Sequence, residues 1–326
     1  MIDFRYHLVS LISVFLALAV GIALGAGPLK ETIGDQLTGQ VEQLRAEKDA
    51  LSADLNLVTA QRDGYTAYLD AASAELVGGL LPRDVAVVTL PGADADAVAA
   101  INDRLEQAGA TVTASLAVTE DWTAADKRDF RASLVTNVLG YLESAPAADA
   151  AAEDVLGAAF AQTLTAADAA DAAALSENAR VLLDVLEQGG LVTVEQAPTA
   201  PVAGVVVVGP AAAGSGPSAT PTASPDDAEL LAVVGALGAR AQGTVVAGPA
   251  VTADQLVSQV RADGALTAEV STVDSINDVT GQISVPRALS AAIAGTLGQY
   301  GFGTGATAVL PPLVALPAAA TVGTAG

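Results

Sequence analysis

The chain has no cysteine, one histidine (His7) and one methionine (Met1) among 326 residues. Without cysteine there can be no disulfide, no thiolate metal site and no thiol nucleophile. A single histidine, set beside an apolar run, leaves the rest of the chain without a Ser–His arrangement for acyl transfer. With soft and imidazole ligands this scarce, no tightly bound transition metal is expected, and no cofactor or catalytic residue is assigned. Aromatic residues make up only 3%, so any core must be assembled from Val, Leu, Ile and Ala. Basic side chains are also few, 14 against 37 acidic, for a net charge of −23. That surface repels phosphate backbones, and no nucleic-acid partner is expected.

Long apolar runs are equally rare, but one exists. Leu8 to Leu29, LVSLISVFLALAVGIALGAGPL, has no charged side chain. At 1.5 Å per residue it spans roughly 33 Å, about the thickness of a bilayer's hydrocarbon core. The apolar region of a secretory signal is shorter. Ala23-Leu24-Gly25 would suit a signal peptidase, yet retention is the expectation, with residues 1–29 a transmembrane signal-anchor. Arg5 precedes the run, whereas Lys30, Arg45 and Lys48 follow it, so charge alone does not favour export. Long domains translocate largely regardless of charge, and the body is expected outside the cytoplasm. Ala17, Gly21 and Gly25 recur every fourth residue, a small-residue face on which two membrane helices can approach closely.

Beyond Lys30 the seam Leu37, Val41, Leu44, Lys48, Leu51, Leu55, Val58, Arg62, Tyr65, Leu69 alternates spacings of four and three. This is a heptad pattern, with Lys48 and Arg62 as polar interruptions at one core position, a device that fixes register and favours two strands. Residues 30–79 therefore read as a coiled-coil stalk, roughly 60 Å for about 40 residues, joining two copies as a homodimer. The competing possibility is an amphipathic helix folded back on its own domain.

Gly78-Gly79 and Pro82 end that helix, and short apolar runs follow. A strand at 85–90, a helix at 95–107 and a strand at 111–116 make a βαβ unit, whose crossover sets the strands parallel. Helices are expected at 123–142, 149–164 and 168–188, and strands at 191–194, 205–208, 244–247 and, more weakly, 269–273. The alternation predicts an α/β fold, a doubly wound, mainly parallel-sheet domain over 80–310. A Pro-, Ser- and Gly-rich stretch at 210–225 reads as a flexible insertion, and 311–326 as a disordered tail.

An α/β sheet invites a nucleotide, but the glycine loops do not fit one. Gly209 to Gly214 has phosphate-loop spacing, but Ser215 stands where lysine is needed and linker follows instead of a helix. Asp94 occupies the place of a phosphate after the first strand. The acidic pairs Asp94/Asp96, Glu120/Asp121 and Asp226/Asp227 sit where helices would start, as caps do. The block from Ala268 to Gly301 is harder to explain by packing alone. It predicts a strand ending at Asp274, a turn through Gly281, and a helix from about Ser284 with Pro286 in its first turn. Asp274, Asn277 and Tyr300 could line a crevice beyond the strand ends. A specialised turn holding a buried polar network is the alternative.

Two blocks carry a resemblance: RYHLVSLISVFLALAVGIALG at 5–25, and STVDSIND, GQI, AL and GQYG in order between Ser271 and Gly301. On these the chain resembles the copper transporter MctB family of actinobacterial envelope proteins. The resemblance implies a membrane-anchored envelope protein, pore-forming and engaged in copper efflux or homeostasis at the outer membrane. It supplies no catalytic or ligand residues. Given the missing thiols and imidazoles, copper is expected as a transported species, not a tightly held ligand. A membrane barrel needs many alternating strands of about ten residues, unlike the short apolar ones here. The alternative function is a structural envelope scaffold or recognition module dimerised by its coiled coil.

Overall fold

The structure, a computed structural model, describes residues 4–26, 28–147, 149–211 and 228–317. It divides into two units, Met1–Tyr65 and Thr66–Gly326.

In the first unit α1 is Phe4–Ala26 and α2 opens at Pro28, where proline's missing N–H costs no hydrogen bond. Phe4–Gly25, mean hydropathy 2.6, is the one helix among the described residues long and apolar enough to cross a membrane. Its small-residue face is open: a Cβ at Gly21 or Gly25 would meet nothing. α2 runs on to Val77 as a single helix of 50 residues. The seam side chains from Leu37 to Tyr65 are exposed, Leu51 by 71%.

The second unit begins within α2, whose last turns pack down. Leu69 lies against the body's own core, and Ser73 and Val77 are buried. The seam residue Leu69, expected at the dimer contact, is thus engaged at home. Helix α3 (Ala95–Gln107) holds these turns through Arg104, which pairs with Asp70 and donates to Ser73 Oγ and Gln107 Oε1.

The body is a seven-stranded sheet in the order β3-β2-β1-β4-β5-β6-β7 among the described residues. Strands β1 (Asp84–Thr89), β2 (Thr111–Val118), β4 (Gly204–Val208), β5 (Gly243–Ala247), β6 (Ser271–Val273) and β7 (Gln299–Tyr300) are parallel. Alternate residues feed two cores. Val85 and Val87 join Ile101, Leu105 and Leu289 on one face; Ala86 and Val88 join Phe160, Leu182 and Val234 on the other. Cover on both faces explains why β1, β4 and β5 carry continuous apolar runs. Trp122 stands edge-on to Phe160 at 5.8 Å in the second core.

The sheet is mainly parallel, as expected, with one exception, and several helix bounds differ from expectation. β3 (Val192–Gln196) runs antiparallel to β2. The turn after α6 (Glu177–Gln188) reverses at Gly190, φ +72°, beside the end of β2, where the Thr119 amide donates to the Leu191 carbonyl. The chain can then only run back along β2. Helix α6 starts at its Ser176 cap and not near 168, because Asp168 accepts from the amides of Ala170 and Asp171 and turns the chain instead. The segment expected as a helix from 123 begins in 3₁₀ turns, and α4 covers only Arg128–Val138. Helices α5 (Ala152–Thr165), α7 (Ala228–Arg240) and α8 (Leu256–Ala262) complete that layer. Helix α9 is Val279–Ile293 and contains Pro286 in its interior, not its first turn.

Residues 311–317, expected in a disordered tail, are tied down: the Leu316 amide donates to the Leu80 carbonyl, and Ser290 Oγ to that of Val314. Residues 318–326, and 212–225 of the proposed insertion, lie outside the described residues. Of the acidic pairs, Asp94 caps α3 by accepting from the Asp96 amide at 2.9 Å, whereas Asp226 and Asp227 lie outside the described residues.

Candidate functional site

The carboxyl ends of β5 and β6, where α/β sheets place ligands, lead into the block singled out in the sequence. β6 ends at Val273, and the next two residues turn sharply; Ser275 has φ +60°, a left-handed conformation uncommon for a side-chain-bearing residue. Asp274 is 2% exposed and its carboxylate is fully used. Oδ1 accepts from the Phe302 amide at 2.9 Å and Ser275 Oγ at 2.8 Å; Oδ2 accepts from the Gly303 amide and Arg261 Nη1, both at 2.8 Å.

Arg261, at the last turn of α8, is as buried as its partner. It also donates to Thr272 Oγ1, to the Tyr300 carbonyl and to the Thr304 carbonyl. The pair therefore fastens α8, β6, β7 and the 301–304 loop together. Burial pushes the Asp274 carboxyl up, but the donations from Phe302, Ser275, Arg261 and Gly303 together hold it below its ordinary value. Gly301, at φ +127°, is required here, since a Cβ would collide with that carboxylate. Gly281 serves differently: it lies within α9, where a Cβ would strike the Ser275 carbonyl. This close approach lets the helix start at Val279, which is why the glycine that reads as a turn in the sequence is helical.

Two cavities flank this latch, and both touch Asp274 and Phe302. One, about 310 Å³, lies beyond the strand ends and is lined by Pro249, Val251, Ser275, Ile276 and Asn277. The other, also about 310 Å³, lies between the last turns of α2, α9 and the 301–310 segment. Of the predicted crevice residues, Asp274 and Asn277 share the first cavity, with Asn277 exposed at its rim. Tyr300 does not join them: it is 4% exposed on β7 within the core, and burial raises its hydroxyl's pKa. The expectation of a crevice lined by all three is corrected accordingly. The buried polar network that was the alternative accounts for Asp274.

The arginines that matter were not singled out from the sequence. The side chains of Arg261, Arg104 and Arg131, the last paired with Glu229 at 2.9 Å, are all buried. The available signal was their position: each lies on a helix beside apolar residues that enter the core, where a solvated cation would not be placed. A further cavity of about 580 Å³, lined by Glu153, Asp154, Leu231 and Asp263, adjoins α5 and α7. Among the described residues no group of three or more His, Cys, Asp or Glu side chains is placed to hold a metal ion.

Comparison with known proteins gives matches along nearly the whole chain. The family described as "Copper transport outer membrane protein, MctB" matches residues 1–311. Proteins named "Copper transporter MctB" from Mycobacterium tuberculosis and Mycobacterium bovis are 31% identical over 325 residues, covering 95% of this chain and 99% of theirs. One of the same name from Mycobacterium leprae is 28% identical over 329 residues, covering 96% of this chain and all of its own length. With a family match from Met1 into the segment bound to α9, this chain belongs to the MctB family.

Proposed function

We propose that this chain is an envelope protein of copper transport, anchored by α1 with its body outside the cytoplasm. Copper passes as cargo and is not held tightly. The observation that carries this reading is the match to copper transporters over nearly the whole chain, anchor and body together. The scarcity of thiol, thioether and imidazole ligands supports the cargo role. We assign the body, which we read as doubly wound, to assembly or partner binding and not to catalysis. A conducting path would have to come from several chains, because one span encloses no lumen. The family description favours the outer membrane as its place. The test is deletion of the gene in its own host, followed by cellular copper content and growth in copper. Higher content and lower tolerance are expected, restored by the full chain and not by one lacking residues 4–25. Unchanged content and tolerance would remove the proposal.

The homodimer is part of this reading and is supported by the exposed seam. A row of Leu and Val at heptad spacing, bare along 37–65, is self-complementary, and Lys48 and Arg62 recur at one core position as in two-stranded coiled coils. A scaffold that spaces the body from the membrane would use the same seam. Crosslinking in intact cells that recovers only single chains would exclude both the dimer and that scaffold.

A further inference from the structure

The cavity beneath the last turns of α2 is lined almost wholly by carbon, from Leu69, Leu76, Ile283, Val309 and Leu310, with Phe302 at its mouth. Phe302, Val309 and Leu310 are each more than half exposed, so the mouth itself is apolar. Such a rim is an exposed apolar patch on a chain that carries 37 acidic side chains.

Into this wall α9 sets Arg287, 9% exposed. Its Nη2 donates to the Pro311 carbonyl at 2.9 Å, while its Nε is buried without a partner. No carboxylate pairs with it among the described residues, whereas the buried Arg104, Arg131 and Arg261 each have one. Asp274, the other charged lining residue, has its lone pairs filled by four donors. Burial alone pushes the guanidinium's pKa down. A buried cation without a counter-charge is costly, and an anion supplied from outside removes that cost.

We propose that this cavity binds a fatty carboxylate, its head on Arg287 and its chain against Leu69, Leu76 and Ile283. At roughly 30 Å³ per heavy atom, about 310 Å³ holds on the order of ten heavy atoms, the size of octanoate. The assignment does not depend on the copper reading.

The test uses the full chain in zwitterionic nanodiscs, with empty discs subtracted, titrated with octanoate, octanol and acetate. Binding is read from the ¹³C-carboxyl or hydroxymethyl signal of the probe and from the Trp122 unfolding midpoint. Octanoate is expected to saturate and raise the midpoint, with octanol and acetate each at least about tenfold weaker. Arg287→Met, which keeps the aliphatic stem, is expected to lose that preference, and Arg287→Lys to recover part of it. Octanol equal to octanoate would show an apolar cleft without anion recognition, and acetate equal to octanoate a bare cation. Either result overturns the proposal, as does unsaturable binding to the wild-type chain, which requires no variant to fold.

Discussion

Replacing Asp274 by alanine tests whether its carboxylate is the fastening on which this end of the body depends. The substitution strands Arg261, itself 2% exposed, and removes the acceptor from the Phe302 and Gly303 amides. Removing one partner of a buried ion pair costs roughly 3–5 kcal/mol, and each stranded buried donor adds about 1–3 kcal/mol. Against a typical domain stability of about 5–15 kcal/mol this is a large fraction. At about 2–4 °C per kcal/mol for a domain of this size, the ion-pair loss alone lowers the midpoint by roughly 6–20 °C. Trp122, the one tryptophan in the chain and 1% exposed, reports the transition by fluorescence. The pH dependence follows from the lowered carboxyl. Its contribution is fully present above the ordinary value of 3.8 and is lost as pH falls through the lower folded value. The gap between wild type and Asp274→Ala should therefore hold from neutral pH to about 4 and close below it. A midpoint within about 2 °C of wild type at neutral pH, or a gap unchanged down to about pH 2, would refute the latch.

Gly301→Ala should destabilise the same end by roughly 1–3 kcal/mol, because φ +127° and the neighbouring carboxylate both exclude a Cβ; a midpoint like wild type's would show the loop to be freer than this. Leu51→Lys, at an exposed seam position, should abolish crosslinked dimers while leaving the Trp122 transition in place, since Leu51 is 71% exposed and belongs to neither core of the body. A dimer that survives Leu51→Lys together with Leu44→Lys would place the self-contact elsewhere.

What the sequence determined by itself was whatever depends on local chemistry and period. The apolar length of α1, the heptad spacing of α2 and the bounds of α3, set by Asp94, are written into neighbouring residues. The short all-apolar strands announced burial on both faces, since no half-exposed strand reads that way. Tertiary structure alone decided direction and partnership. β3 runs backwards because Gly190 turns it beside β2, a fact with no signature in its own residues. β7 is two residues long and exists only because β6 offers an edge. α9 starts early because Gly281 can touch the Ser275 carbonyl, and the helix retains Pro286 where packing on both sides outweighs the lost hydrogen bond. Asp274 was legible as unusual, but not as a latch, because three of its four donors come from residues 261, 302 and 303. Arg287 stands beside core-facing apolar residues of its helix as the other buried arginines do, but only the fold leaves its Nε buried without a partner.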